Sequence, residues 1–454
     1  MPPKFLLPTT QGSIMKVTEE IVEFNADNVM NIGIDVASEK LDVYFELALK
    51  LNVRKICRDL IPNRTTAIED ALLRYQAIAK EQGYLNIRIV CEPTGPYSVN
   101  LLSVAKSLNC ITAYVNPEAV YKSKIIETNE SGKTDLIDAE IINSLAKRDK
   151  VLICRTYSAD YQKLRILNSH YEDIENSYVI ARNQVHNTLK LFFPDLSISK
   201  DTLYSNTGKT IQKIYGFNPW KITVKGFNHF HKTMRSKVKG VRNKTIQVVW
   251  DDAVATCRHN CNDVAGSLEE RFTDHYEDVE LFEKRKERVK KEMKEILSEI
   301  RLTDDQIPAA RKNYVSEFHI ARLLAETGPL SDFKTKKELL KYLGMNLRER
   351  QSGHYKGKTK MSKKGRSTAR SLLSNIVLPL VKETALYGPA YHEKKKRTGK
   401  SGTLLMTNFM RVFLKSFFGL YKSTEEFNEI RMFMDEGAYN KLFKSKEKSD
   451  EESA

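Results

Sequence analysis

Two heptad seams constrain this chain more than any other feature. Leu164, Leu167, Tyr171, Ile174, Tyr178, Ala181, Val185 and Phe192 recur at alternating spacings of three and four, interrupted only by Thr188. Leu268, Phe272, His275, Val279, Phe282, Lys286, Val289, Met293, Ile296 and Ile300 repeat the pattern, with His275 and Lys286 as polar positions. An isolated amphipathic helix of such length must bury its seam against something, and two seams in one chain can serve each other. The expected result is a long antiparallel coiled coil, formed within the chain or between chains. The seams divide the 454 residues into an extension over 1–28, an α/β domain over 29–150, and the coiled coil over 151–305 with an insert at 197–263. A C-terminal domain over 306–445 and a charged, disordered tail over 446–454 complete the chain.

Ahead of the first seam, "VMNIGIDVASEKLDVYFEL" alternates apolar and polar residues through two runs and reads as a β-hairpin. A strand "VRKICRDLI", a helix, a buried strand "IRIVCE", a helix, a strand "ITAYV" and further helices follow. The order βββ-α-β-α-β-α predicts a sheet layered with helices, with sites assembling at strand ends. Beyond the second seam the pattern is mainly helical. Lysine and arginine number 74 against 58 acids, a formal charge of +16, which favours a polyanionic partner. No apolar run is long enough for a membrane span and the N-terminus lacks a signal-peptide core, so a soluble cytoplasmic protein is expected. The six cysteines are too scattered for a disulfide scaffold.

The segment "SGKTDLIDAE" places Asp135 and Asp138 three residues apart, one above the other on one helix face. Taken alone, two acids in a first turn behind Lys133 and Thr134 are adequately explained by the helix dipole. Asp35 ends the strand "NIGID", and Glu92 ends "IRIVCE" just before the chain-reversing "PTGP". If these four carboxylates converge, they repel and need a countercharge, which hard divalent cations with oxygen ligands provide; magnesium is the natural one. Two such ions about 4 Å apart orient a nucleophile and stabilise the leaving oxygen of a phosphodiester.

The insert reads as irregular, rich in Asn, Gly and aromatics. Lys221, Lys225, Lys232, Arg235, Lys237, Lys239, Arg242 and Lys244 occur there without an intervening acid, interleaved with Trp220, Phe227, Phe230 and Trp250. One-sided charge with aromatics predicts phosphate contacts plus base stacking. "CRHNC", with Cys257, His259 and Cys261, matches none of the common structural zinc spacings and is read as thiols. "TGKSGT" lacks the leading glycine and preceding strand of a phosphate loop.

"GIDVASEKLDVYF", "CEPTGPY", "VNPEAVYKSK" and "KTDLIDAEII", in this order, resemble the ribonuclease-H-like (RuvC-like) domain of the DEDD transposases of bacterial insertion sequences. That family includes Piv-type DNA invertases and bridge-RNA-guided recombinases. The resemblance implies that Asp35, Glu92, Asp135 and Asp138 are the metal-binding acids. A second segment, "LLKYLGMNLRERQSGHYKGKTKMSKKGRSTARSLL", resembles the family's C-terminal transposase domain and puts Ser352 at the serine nucleophile, whereas residue chemistry alone reads Ser352-Gly353 as a turn. Lys356, Lys358, Lys360, Lys363, Lys364, Arg366 and Arg370 follow without an acid and can hold a DNA backbone; Lys133, beside the acids, can steer a phosphate. The resemblance further implies a nucleoid-associated recombinase acting on DNA, a structured guide RNA, and a dimer assembling into a tetramer. Where relatives carry a glycine-rich hairpin loop, this chain reads "NYVSEFHI". The rival readings are a hydrolytic junction-resolving nuclease using only the acids, and a non-catalytic nucleic-acid-binding protein.

Overall fold

The computed structural model describes residues 28–50, 53–93, 95–128, 135–155, 157–259, 263–312, 314–348, 351–352, 355–356 and 360–423. The chain divides into two compact units, Met1–Thr156 and Tyr157–Ala454.

In the first unit, β1 (Val29–Val36), β2 (Lys40–Lys50) and β3 (Val53–Pro62) form an antiparallel meander. Helix α1 (Thr65–Glu81), β4 (Asn86–Cys91), α2 (Val99–Ser107), β5 (Ile111–Tyr114), α3 (Pro117–Thr128), α4 (Asp135–Lys147) and β6 (Leu152–Ile153) follow. The strand order is β3-β2-β1-β4-β5-β6, with β4 parallel to both β1 and β5. This is the layered α/β order expected from the sequence and the topology of a ribonuclease-H-like sheet. Strand parity assigns the faces. Ile32, Ile34, Leu41, Val43 and Ile89 pack with α1 and α2, whereas Val90, Ala113 and Val115 pack with Ile141, Ile142 and Leu145 beneath α3 and α4.

In the second unit, α5 (Ala159–Phe192) leads into five shorter helices: α6 (Lys200–Leu203), α7 (Asn206–Tyr215), α8 (Pro219–Thr223), α9 (Phe227–Lys237) and α10 (Asn243–His259). The long α11 (Ala265–Thr303) returns alongside α5. Glu175 pairs with Lys286 and Phe192 meets Phe272 edge-on, so contact positions advance along α5 as they retreat along α11 and the pair is antiparallel. Seam residues Leu164, Tyr171, Ile174, Ala181, Val185, Phe192, Phe272, Val279, Val289, Met293, Ile296 and Ile300 are buried. The polar seam position Lys286 holds its ammonium 4.1 Å above the Tyr178 ring.

The insert is helical, which corrects its reading as irregular. Residues that suggested loops are helix caps: Ser199 accepts from the Thr202 amide, Ser205 from Gly208, Asn218 from Trp220 and Lys221, and Gly216 ends α7 left-handed. Helices this short carry too few turns to display a period.

The remainder comprises α12 (Glu317–Thr327), α13 (Lys336–Tyr342), the two-residue strands β7 (Leu347–Arg348), β8 (Gln351–Ser352), β9 (Tyr355–Lys356) and β10 (Lys360–Met361), then α14 (Ser367–Leu380), α15 (Gly388–Thr398) and α16 (Gly402–Lys422). Their apolar faces share a core with the start of α5 and the end of α11. No helix among the described residues is long and apolar enough to cross a membrane.

Candidate active site

The register of the sheet builds the acidic face. Asn31, Gly33 and Asp35 alternate onto the α4 side of β1, and Arg88, Val90 and Glu92 have the same parity on β4 and just beyond it. Asp35 and Glu92 therefore lie at the carboxyl ends of adjacent parallel strands, where open α/β sheets place their sites.

Helix α4 brings Asp138 to this face because it touches the sheet backbone. A Cβ on Gly33 would stand 2.3 Å from the Ala139 carbonyl oxygen and 2.6 Å from the Asn143 amide nitrogen, so only glycine admits the helix this closely. Asn143 donates from Nδ2 to the Asn31 carbonyl at 2.7 Å, tying mid-helix to β1. Arg88, 1% exposed, stands opposite Asn31 in the register. Its guanidinium donates to Asn31 Oδ1 at 2.6 Å, to the Ala146 carbonyl at 2.7 Å and to Asp149 Oδ1 at 2.9 Å, which satisfies the carboxyl end of α4.

The acids interact through space. The Glu92 carboxyl is held above the ordinary carboxylate range, first by burial, then by the negative charges of Asp35 and Asp138, with Lys124 opposing. Asp35, Glu92 and Asp138 thus share one electrostatic neighbourhood. Asp135 begins α4, one turn before Asp138; its backbone alone is described. Lys133 lies outside the described residues. Among the described residues no three carboxylate, imidazole or thiol groups form a closed ligand set. The donors on this face are carboxylate oxygens, a chemistry suited to hard divalent cations rather than to zinc or iron.

Two side chains at this face escaped the sequence reading. Asp42 stands directly across β1–β2 from Asp35, is buried, and is paired to Lys40 at 3.2 Å. The signal was available: pairing the two arms of "GIDVASEKLDVYF" around their polar break sets the aspartates opposite each other. Lys124 on α3 reaches Asp138 Oδ1 with its ammonium at 2.6 Å and is 7% exposed. Its four-residue spacing from the buried Val120 marks the inward helix face.

In the second unit, Ser352 ends β8, with Ser352 opposite Tyr355 and Gln351 opposite Lys356. The backbone alone is described for Ser352 and Lys356, and Lys358 lies outside the described residues. The pairing of β7 with β10 closes the segment below, through Lys360↔Arg348 and Met361↔Leu347. Below that base, Ser362 donates to Asn346 Oδ1 at 2.5 Å, and Gly365 packs so tightly that a Cβ would meet the Tyr342 carbonyl oxygen at 2.6 Å.

The basic residues fall into two groups. Lys225, Lys232, Lys237, Lys239, Arg242, Lys244, Lys360, Lys363 and Lys364 are exposed. Arg235 is exposed and bonds the Val241 carbonyl. Others are committed within the chain: Lys221 to Glu269 at 2.6 Å, Arg366 to Glu326 at 2.5 Å, and Arg370 to the Gly365 carbonyl at 3.0 Å. Base stacking by Phe230 is corrected, since Phe230 is a core residue; Trp250 packs against both Phe227 and Phe230, and Trp220, Phe227 and Trp250 are half-buried. Phe227, Phe230 and Trp250 contribute to the core of the insert.

Residues 32–194 match the family model DEDD_Tnp_IS110, described as a transposase, and residues 315–392 match that of the transposase IS116/IS110/IS902 family. No curated protein matches the chain. Among solved structures, T. thermophilus RuvC in complex with Holliday junction substrate aligns with 28% of this chain and 99% of its own at 12% identity, with a TM-score of 0.20.

Proposed function

We propose, from the premise that the chain is a transposase of the IS110 family, that it cuts and rejoins DNA using its acidic face and Ser352. The observation carrying this reading is the shared electrostatic neighbourhood of Asp35, Glu92 and Asp138 at the carboxyl ends of β1 and β4. Asp35, Glu92, Asp135 and Asp138 would hold divalent cations, two magnesium ions by our reading. Bound there, magnesium supplies charge neutralisation to the scissile phosphate. The Ser352 hydroxyl attacks phosphorus: its Oγ–P bond forms, the bond from phosphorus to one sugar oxygen breaks, and the proton lost by the serine is balanced by the proton gained by that sugar oxygen. The phosphoserine so formed conserves the bond energy for rejoining.

The exposed lysines and arginines of the insert, and Lys360, Lys363 and Lys364, would contact phosphates, as would Lys133, Lys356 and Lys358. Arg366, held by Glu326, leaves that set. The α5–α11 pair would act as a coiled-coil spacer in a dimer that assembles into a tetramer, and a structured RNA would select the DNA.

The test is to incubate the full chain, together with the RNA that co-purifies with it, with magnesium and a plasmid carrying candidate element ends. The parent should form a protein–DNA adduct that survives denaturation. Ser352→Ala should lose both adduct and joined product, and Glu92→Gln should lose cleavage altogether. Cleavage undiminished in Ser352→Ala would establish a metal-dependent hydrolase instead; cleavage undiminished in Glu92→Gln would remove the acidic face from the chemistry.

A further inference from the structure

Lys124 occupies a place where a lysine is costly. Its α3 neighbour Val120 is a core residue, and Lys124 lies one turn further on the same inward face, 7% exposed. Burial of an ammonium is costly unless a carboxylate compensates it, and Asp138 Oδ1 lies 2.6 Å from this one. Its charge also opposes the repulsion that Asp35 and Asp138 exert on Glu92. The other lysine described mid-helix on α3, Lys122, pairs locally with Glu118 on the exposed side. The helix therefore separates a surface ion pair from one aimed into the acidic face.

Asp138 Oδ1 cannot give full charge to both an ammonium and a hard cation. From this, and resting on the reading of Asp138 as a cation ligand, we propose that Lys124 is the resident counter-ion of the acidic face and couples cation binding to phosphate binding. Without a divalent cation the ammonium neutralises Asp138. A cation that takes Asp138 competes with the ammonium for that carboxylate and leaves its charge less compensated, so an anion within reach of its four-carbon stem gains attraction. A DNA phosphate presented at the same face is such an anion. Each ligand thus removes a cost from the other: the cation turns the Lys124 charge toward the phosphate, and the phosphate compensates the charge that Asp138 no longer neutralises. By linkage the two affinities must rise together.

A surface lysine or a plain core ion pair would show no such coupling, so the readout is cation affinity and not turnover. Manganese, whose unbound fraction is read by electron paramagnetic resonance, is titrated into the full chain with and without a short duplex oligonucleotide. The parent should bind manganese more tightly with duplex present. Lys124→Met should bind it ~10-fold more tightly than the parent in the absence of DNA, because the competing charge is gone, and should lose the enhancement by duplex. Lys124→Arg keeps the charge and should restore the enhancement, which guards against a misfolded Met variant. Equal or weaker manganese binding by Lys124→Met, or duplex enhancement retained in it, overturns the proposal. Manganese binding that Glu92→Gln leaves unaltered points instead to failure of the cation-site reading itself.

Discussion

In the first unit Asp138 rides on a helix that touches the sheet backbone at Gly33, is tied mid-way by Asn143 and is fastened at its end by Arg88. In the second unit Ser352 belongs to a two-residue strand, paired to another just as short, above a ribbon closed by Lys360↔Arg348 and Met361↔Leu347. The acids are positioned by buried backbone contacts along regular elements. The serine is positioned from below, by the anchorage of the ribbon's base. If the acids share a cation as proposed, they gain from rigid spacing, because their mutual repulsion would otherwise drive them apart. If Ser352 is the nucleophile proposed above, anchorage at the base of its ribbon would set where it meets a phosphodiester.

The largest expected effect breaks the first arrangement at its tightest point. Gly33→Ala places a methyl 2.3 Å from the Ala139 carbonyl oxygen, within a backbone contact that has no side chain to move aside. The helix must retreat and carry Asp138 from Asp35 and Glu92. The expected cost is about 3 kcal/mol of stability in a urea melt. A displacement near 1 Å at the acids should lower DNA cleavage by ~100-fold or more. If Gly33→Ala keeps parental cleavage, close packing of α4 is not what assembles the site.

The second arrangement is tested through the base of its ribbon. Glu326, 3% exposed, accepts from Asn168 Nδ2 at 2.8 Å and from Arg366 Nε at 2.5 Å. Asn168 in turn accepts from Arg322, which also pairs with Glu172 and lies over the Tyr171 ring. One buried carboxylate therefore links α5, α12 and the residue that opens α14. Glu326→Ala leaves Arg366 and Asn168 without this acceptor, at an expected cost of about 2 kcal/mol. It should depress strand joining more than manganese binding, since the acids belong to the other unit. An equal loss of both activities would mean that the two arrangements are not separable.

The same contrast explains what the sequence disclosed. The common facing of Asp35, Glu92 and Asp138 was legible because strand parity and helix spacing are periodic, whereas their reading as cation ligands came from the resemblance. Asp42 needed one further step, the register of a hairpin whose turn is short enough to infer. Lys124 was missed because α3 is a weakly patterned helix whose charged residues occupy both its exposed and its buried sides. In the second unit the seams of α5 and α11 were legible by repetition. The insert was not, since helices such as α8, with its Asn218 cap and Pro219 start, end before a period appears. Ser352 carries no periodic signal at all; only the resemblance singled it out.

The smallest expected effect sharpens the comparison through protons. Burial and the charges of Asp35 and Asp138 raise the Glu92 pKa above 4.5, so the unfolded chain releases this proton first as pH rises. The stability Glu92 contributes is present below that value and is lost as pH rises through its folded pKa. In the second unit the sign reverses. His186 is lowered below 6.5 by burial and by Lys200 and Arg182, and His319 by burial and Lys290, so the unfolded chain binds protons that the folded chain refuses. Their contribution is present above 6.5 and is lost as pH falls through the folded values. The chain's two tryptophans, Trp220 and Trp250, both lie in the second unit, so intrinsic fluorescence reports that unit selectively. Its urea midpoint should decline as pH falls from 7.5 toward about 5.5, and His186→Gln with His319→Gln should flatten the decline. A fluorescence midpoint that instead rises on acidification would show that the carboxylates, and not the buried imidazoles, govern the second unit as they do the acidic face of the first.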